Sequence, residues 1–205
     1  MIVSLALAYM QQAGAKTYVA INGVPVTLPD DQRILGNPAI SPDGSHIAYI
    51  RAAGQRADKD DPQPSEVVVK NSAVGTAKVL VRSGAGSEWY FRPVVRVTFA
   101  EDGKHLFAER AYFGDSDSVH EIDLGTGRER LLGWGIEISV LRDGPWRGDV
   151  LMGIHTCYSN HLGCDYPVHV VTPSGESVYV IPGTAGRDRA SQLRAWLVNR
   201  GWRAW

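Results

Sequence analysis

Apolar and polar residues alternate in short runs along most of this chain, with the two-residue period of half-buried strands and little helical period. The runs come in pairs around turn signals. Tyr18-Val19-Ala20-Ile21 and Val24-Pro25-Val26-Thr27-Leu28 flank Asn22-Gly23, where both turn positions tolerate positive φ. Val67-Val68-Val69-Lys70 and Lys78-Val79-Leu80-Val81 flank a looser turn that ends at Gly75. Val119-His120-Glu121-Ile122-Asp123-Leu124 and Arg130-Leu131-Leu132 flank Gly125-Thr126-Gly127. Val168-His169-Val170-Val171 and Val178-Tyr179-Val180-Ile181 flank Pro173-Ser174-Gly175, and Ile138 to Val140 precedes Val150 to Ile154 across an Asp143-Gly144 turn. The expectation is antiparallel hairpins throughout.

One hairpin occurs twice. Residues 39–51 (AISPDGSHIAYIR) lie on residues 98–110 (TFAEDGKHLFAER) without a gap, each a strand end, an Asp-Gly turn and a second strand. A third copy around Arg142-Asp143-Gly144 is degenerate, with an insertion before Val150. Asp-Gly hairpins alternate with Gly-turn hairpins, which predicts four-stranded units that bury their apolar faces only against neighbours of the same kind.

The C-terminus alone reads as helix. Asp188 is placed to cap it, Ala190, Leu193, Trp196 and Leu197 share a stripe, and Gly201 ends it, ahead of the aromatic tail Trp202-Arg203-Ala204-Trp205. The N-terminal apolar run Met1 to Met10, followed by Ala13-Gly14-Ala15, reads either as a signal peptide lacking its basic start or as a first strand. It is too short to span a bilayer, and no stable membrane insertion is expected. The domain reading is therefore residues 1–15 as leader or strand, 16–183 as one β domain, and 187–205 as helix and tail.

The phrase Asn37-Pro38-Ala39-Ile40-Ser41-Pro42-Asp43-Gly44-Ser45-His46-Ile47-Ala48-Tyr49 resembles the repeat of TolB-like β-propellers, which also occurs in the N-terminal propellers of prolyl oligopeptidase-type peptidases. The resemblance implies that each Ser-Pro-Asp-Gly turn joins the two inner strands of a blade. The second copy departs from it, with Ala100-Glu101 in place of Ser-Pro. The expected fold class is all-β: a propeller-like array of about three four-stranded antiparallel blades, an N-terminal hairpin and one C-terminal helix. Propellers usually close with four to eight blades, so three leave open faces to be covered. Association into a homodimer, a cap by the helix, or an open relic of a longer ring would each meet that need.

Composition narrows the function. A net charge of −1 with scattered basic residues excludes nucleic acid as the main partner. No G-x-S-x-G elbow, P-loop or G-x-G-x-x-G occurs, so no nucleophile and no cofactor is assigned. His46 and His105 fall at matching repeat positions, which favours a structural role for both. The acidic runs Asp58-Lys59-Asp60-Asp61 and Asp115-Ser116-Asp117 lack the spacing of a calcium loop and read as solvated.

The densest chemistry lies at His155-Thr156-Cys157-Tyr158-Ser159-Asn160-His161-Leu162-Gly163-Cys164. Cys157 and Cys164 are the only cysteines, and a disulfide closing a short loop is preferred over free thiols or a zinc site, because the spacing is wide for a ligand knuckle. Trp89-Tyr90-Phe91-Arg92 cannot place all three rings on one face of a strand, so part of it is expected to be exposed as an interface anchor. The candidate binding residues are Trp89, Tyr90, Arg92, His155 and His161. The function read from the sequence is a non-catalytic, exported (periplasmic or secreted) binding protein for a protein partner or small ligand. The rival is a metal-assisted hydrolase using His155, Cys157 and His161, or an accessory propeller of a peptidase.

Overall fold

The computed structural model of the chain describes residues 15–20, 23–29, 33–54, 63–83, 92–111, 116–157 and 163–204. Strands β1 (Ala15–Val19) and β2 (Pro25–Pro29) form the first hairpin. Three four-stranded antiparallel sheets follow, each an uninterrupted meander in space. The first blade is β3 (Ile34–Ile40), β4 (His46–Ala52), β5 (Ser65–Asn71) and β6 (Ala77–Arg82); the second is β7 (Val94–Phe99), β8 (His105–Arg110), β9 (Ser118–Asp123) and β10 (Glu129–Trp134). The third is β11 (Ile136–Val140), β12 (Val150–Gly153), β15 (Val168–Val171) and β16 (Ser177–Val180). Its middle connection carries a two-residue ribbon, β13 (Thr156–Cys157) with β14 (Cys164–Asp165). Helix α1 (Arg189–Val198) closes the described chain.

Alternation decides the stacking. In β4, Ala48 and Ile50 point to one face and meet Val97, Phe99 and Leu106 of the second blade, while Tyr49 points to the other and meets Val26 and Leu28 of the first hairpin. In β8, Leu106 and Ala108 look back to the first blade and Phe107 looks forward to Ile138, Val150 and Met152 of the third. In β12, Leu151 faces away from the second blade, toward Trp196 of α1. Four apolar layers thus separate hairpin, three blades and helix in order. Inner strand β7 packs against both β3 and β11.

The open-face problem is met at both ends by the chain itself. The hairpin covers the outer face of the first blade, and the helix covers that of the third. Such covers are what a short stack of repeats requires, since terminal units otherwise present apolar faces to water. The helix stripe is as expected for Leu193, Trp196 and Leu197, but Ala190 lies outside it and is exposed. Asp188 sits at the N-cap without a side-chain capping bond, because its backbone (φ −92°, ψ 15°) lacks the extended geometry that aims a cap at the first turn. Gly201, at φ +65°, ends the helix as expected, with the Trp202 N–H reaching the Leu197 carbonyl at 3.0 Å.

The three Asp-Gly turns share a frame and differ in what the aspartate holds. Asp43 accepts from the Ser41 hydroxyl (2.6 Å) and the Ser45 N–H (3.0 Å), which draws its carboxyl down to about 2. The Ser41 hydroxyl oxygen in turn takes the His46 N–H at 2.9 Å. With Ala100 at the matching place, Asp102 takes over that task in the second copy and accepts from both Lys104 N–H (2.8 Å) and His105 N–H (3.2 Å). The third turn is not degenerate so much as reassigned. Asp143 binds the tail instead, accepting from the Arg203 N–H and Nε, both at 3.0 Å, while Trp202 lies directly over Gly144.

Candidate functional site

A meander sorts its connections into two ends. Every Asp-Gly and Gly turn lies at one end; every connection between second and third strands, and between blades, lies at the other. At that second end, the loop end, stand the described flanks of these connections: residues 53–54 and 63–64, 83 and 92–93, 111 and 116–117, and 154–157 with 163–167. The sequence-derived candidates separate accordingly. Arg92 and His155 both stand at the loop end, as do Cys157 and Cys164. Trp89, Tyr90 and His161 lie outside the described residues, as do the acidic run 58–61 and the leader segment.

Cys157 and Cys164 form the disulfide expected of them, across the β13–β14 ribbon. His155 stands beside it, Nε2 3.7 Å from Cys157 Sγ, and its ring tilts against Tyr166 at 5.1 Å between centroids. Histidine and the two sulfurs cluster tightly enough to suggest a metal. Both sulfurs, however, are bonded to each other, and only a thiolate is a strong zinc ligand. The disulfide state therefore removes two of the three donors.

Arg92 is half-buried, and its carbonyl accepts from Arg110 Nη1 at 2.6 Å. Arg110 is the better buried of the two, at 1% exposure. It grips Glu129 with Nε (2.5 Å) and Nη2 (2.8 Å), the paired geometry a guanidinium offers a carboxylate. His120 completes the cluster, with Nδ1 3.1 Å from Glu129 Oε1 and Nε2 2.9 Å from the Ser118 hydroxyl. Burial pushes its pKa down to about 4, so the ring is neutral near pH 7. This network is structural: it fixes the loop-end margin of the second blade.

A second acid sits between the inner strands of the second and third blades. Glu109 accepts from the N–H groups of Glu137 (3.0 Å) and Ile138 (3.4 Å) and faces Arg96 at 3.3 Å. Glu137 is the one non-glycine among the described residues at positive φ, +59°, and Arg189 of α1 holds its carboxylate at 2.8 Å. Burial, aided by Asp117, raises Glu109 to about 7 despite Arg96.

The signs of these two shifts oppose each other. Glu109 binds a proton more readily folded than unfolded, so its contribution to stability is lost as pH rises from about 4.5 to about 7. His120 binds one less readily folded, so its contribution is lost as pH falls from about 6.5 to about 4. Between those limits the two offset. Glu109→Gln, which keeps the acceptor oxygen, is expected to unmask a rise in denaturation midpoint from pH 4.5 to 6.5 where the parent chain is nearly flat. Equal pH profiles for both would contradict the assignment.

Sequence reasoning missed a cleft at this end of about 850 Å³, lined by Arg33, Arg51, Glu66, Arg82 and Ser83 of the first blade. Arg51 pairs in register with Glu66, and Glu66 with Arg82, so the three form one cross-strand row. Glu66 answers Arg51 Nε at 2.7 Å and Arg82 Nε at 3.0 Å. Arg33 Nη1 donates to the Gln63 side chain (3.2 Å), whose Nε2 pins the Gly54 carbonyl at 2.8 Å. Arg51 and Glu66 flanking one long loop were the only signal in the sequence.

Three blades of four antiparallel strands, packed inner strand to inner strand with the second-to-third-strand connections at one end, define a propeller-type fold. The fold is similar to that of TolB-like propellers. Among solved structures the chain is similar to TolB from Acinetobacter baumannii, at 20% identity and a TM-score of 0.50, over 82% of this chain and 38% of that one. It is also similar to the acylaminoacyl peptidase of Pyrococcus horikoshii (12% identity, TM-score 0.50, 73% of this chain and 24% of that one). A third likeness is to Porphyromonas gingivalis dipeptidyl peptidase 4 (10% identity, TM-score 0.50, 79% of this chain and 29% of that one). The chain spans well under half the length of each, and at these identities the likeness is one of fold. No family model and no curated protein matches the sequence.

Proposed function

We propose that the chain is a non-catalytic, propeller-type recognition protein that binds a protein partner or a small ligand through its loop end. The observation that carries the reading is the gathering of the connections between second and third strands, with Arg92, His155 and the arginine-lined cleft, at one end of the stack. Loops held on a rigid sheet scaffold are where recognition residues concentrate. At the opposite end the Asp-Gly turns have their aspartates engaged in the turns themselves or in the C-terminal tail.

Export is part of the same proposal. The Cys157–Cys164 disulfide supports it, since such bonds persist mainly in oxidising compartments. No helix among the described residues is long and apolar enough to cross a membrane.

The test is site-dependence of capture. Immobilised chain is exposed to an extracytoplasmic extract and to a thermal-shift ligand panel. Retention of a partner or a ligand shift is expected to fall with Arg92→Ala combined with His155→Ala, and to survive Lys104→Ala combined with Arg128→Ala at the turn end. Binding that depends on the turn-end pair instead would overturn the reading.

A further inference from the structure

We infer that the cleft at the loop end of the first blade is a binding site for a small polyanion carrying two or more carboxylate or phosphate groups; this rests on the loop end being the recognition end. Arg110 lies on Arg51 when the repeats are superimposed, and the two blades treat that arginine differently. In the second blade the guanidinium is enclosed, 1% exposed, and bonded through all three nitrogens, to the two oxygens of Glu129 and to the Arg92 carbonyl. In the first blade the Arg51 side chain is 32% exposed and shares its carboxylate, Glu66, with Arg82.

Among the described residues that line the cleft, positive charge prevails: three guanidinium groups, Arg33, Arg51 and Arg82, stand against the one carboxylate of Glu66, in a chain whose net charge is −1. Both Glu66 oxygens are taken. Arg82 uses only Nε on Glu66 and Arg33 only Nη1 on Gln63, and no other acceptor among the described residues meets their remaining N–H groups. A guanidinium is the side chain best shaped to grip a planar or tetrahedral oxyanion through paired N–H groups.

The site is also built before any ligand arrives. Arg51, Glu66 and Arg82 stand on adjacent strands in register, and the base of the 53–64 connection is tied by Ala53 N–H to the Pro64 carbonyl (2.8 Å) and by Gln63 to Gly54 (2.8 Å). Arginines fixed by a shared carboxylate lose little freedom on binding, which favours affinity. The cleft volume, about 850 Å³, lies within the range of small-molecule sites. The row lies on the blade face that carries Tyr49 and Val68, and the apolar cluster that the covering hairpin makes on that face does not include it.

The experiment titrates the whole chain with citrate, pyrophosphate and a hexaglutamate peptide by calorimetry at constant ionic strength. Saturable binding of citrate or pyrophosphate is expected, weakened about tenfold or more by Arg33→Gln with Arg82→Gln and unchanged by Arg128→Gln with Arg130→Gln. The two pairs remove the same charge, and all four side chains are exposed, so folding is not at issue. The tighter of citrate and pyrophosphate identifies the oxyanion. Failure of both to saturate, equal loss in the two charge-matched variants, or binding of hexaglutamate alone would overturn the proposal. If the small anions fail while partner capture still requires Arg92 and His155, this proposal falls and the loop-end reading stands. An anion footprint at Lys104 and Arg128 would sink both.

Discussion

Arg110→Met is expected to destabilise the chain by roughly 3 to 5 kcal/mol, the largest effect of any single substitution considered, measured as a shift in chemical denaturation. The physical reason lies in what is left behind. Glu129 would keep its place beside neutral His120 without the guanidinium that neutralises it, and the Arg92 carbonyl would lose its donor. A buried ion pair contributes little net stability over an apolar replacement, yet removal of one partner strands the other. The double variant Arg110→Met with Glu129→Gln should therefore recover much of the loss. A single-variant cost under about 1 kcal/mol would show that water reaches the pair and that the burial assigned to it is wrong.

Trp196→Ala is expected to cost about 3 kcal/mol and, more tellingly, to make the chain self-associate. Trp196 is the buried residue of α1, stacked 6.2 Å from both Trp146 and Tyr179, edge-on to Trp202 at 5.3 Å, with the Arg200 guanidinium 4.4 Å above its ring. It seals Leu141, Leu151, Val170 and Ile181 on the outer face of the third blade. Truncation opens a cavity and loosens the whole cover. Light scattering together with denaturation would separate the two effects. A variant that loses stability but stays monomeric would mean that the helix is bystander rather than cover.

Much of this architecture was legible in the chain because it is local. The Asp43-Gly44 and Asp102-Gly103 turns bring their own hydrogen bonds, and alternation in β4 and β8 tells which residues share a face. The aromatic helix could be read as a cover because Trp196 and Leu193 fall on one stripe. The first hairpin could be recognised, but not its role, since nothing in Val26 or Leu28 says against which face they pack. The β13–β14 ribbon has two residues per strand, too few for any period. Reassignment of Asp143 to Arg203 depends on where the tail returns. The charged cleft was the least legible of all. Arg51, Glu66 and Arg82 are far apart in sequence and become a row only through sheet register, while Arg33 joins them across the entry to β3.

The solution mass of the 205-residue chain, followed by light scattering as its concentration is raised, tests most directly whether hairpin and helix cover the two ends of the stack. Because hairpin and helix each hide one terminal face of the stack, the expected result is a single species of 22.4 kDa at every concentration. A mass that climbs to twice that value would show instead that one of those faces is met by a second copy.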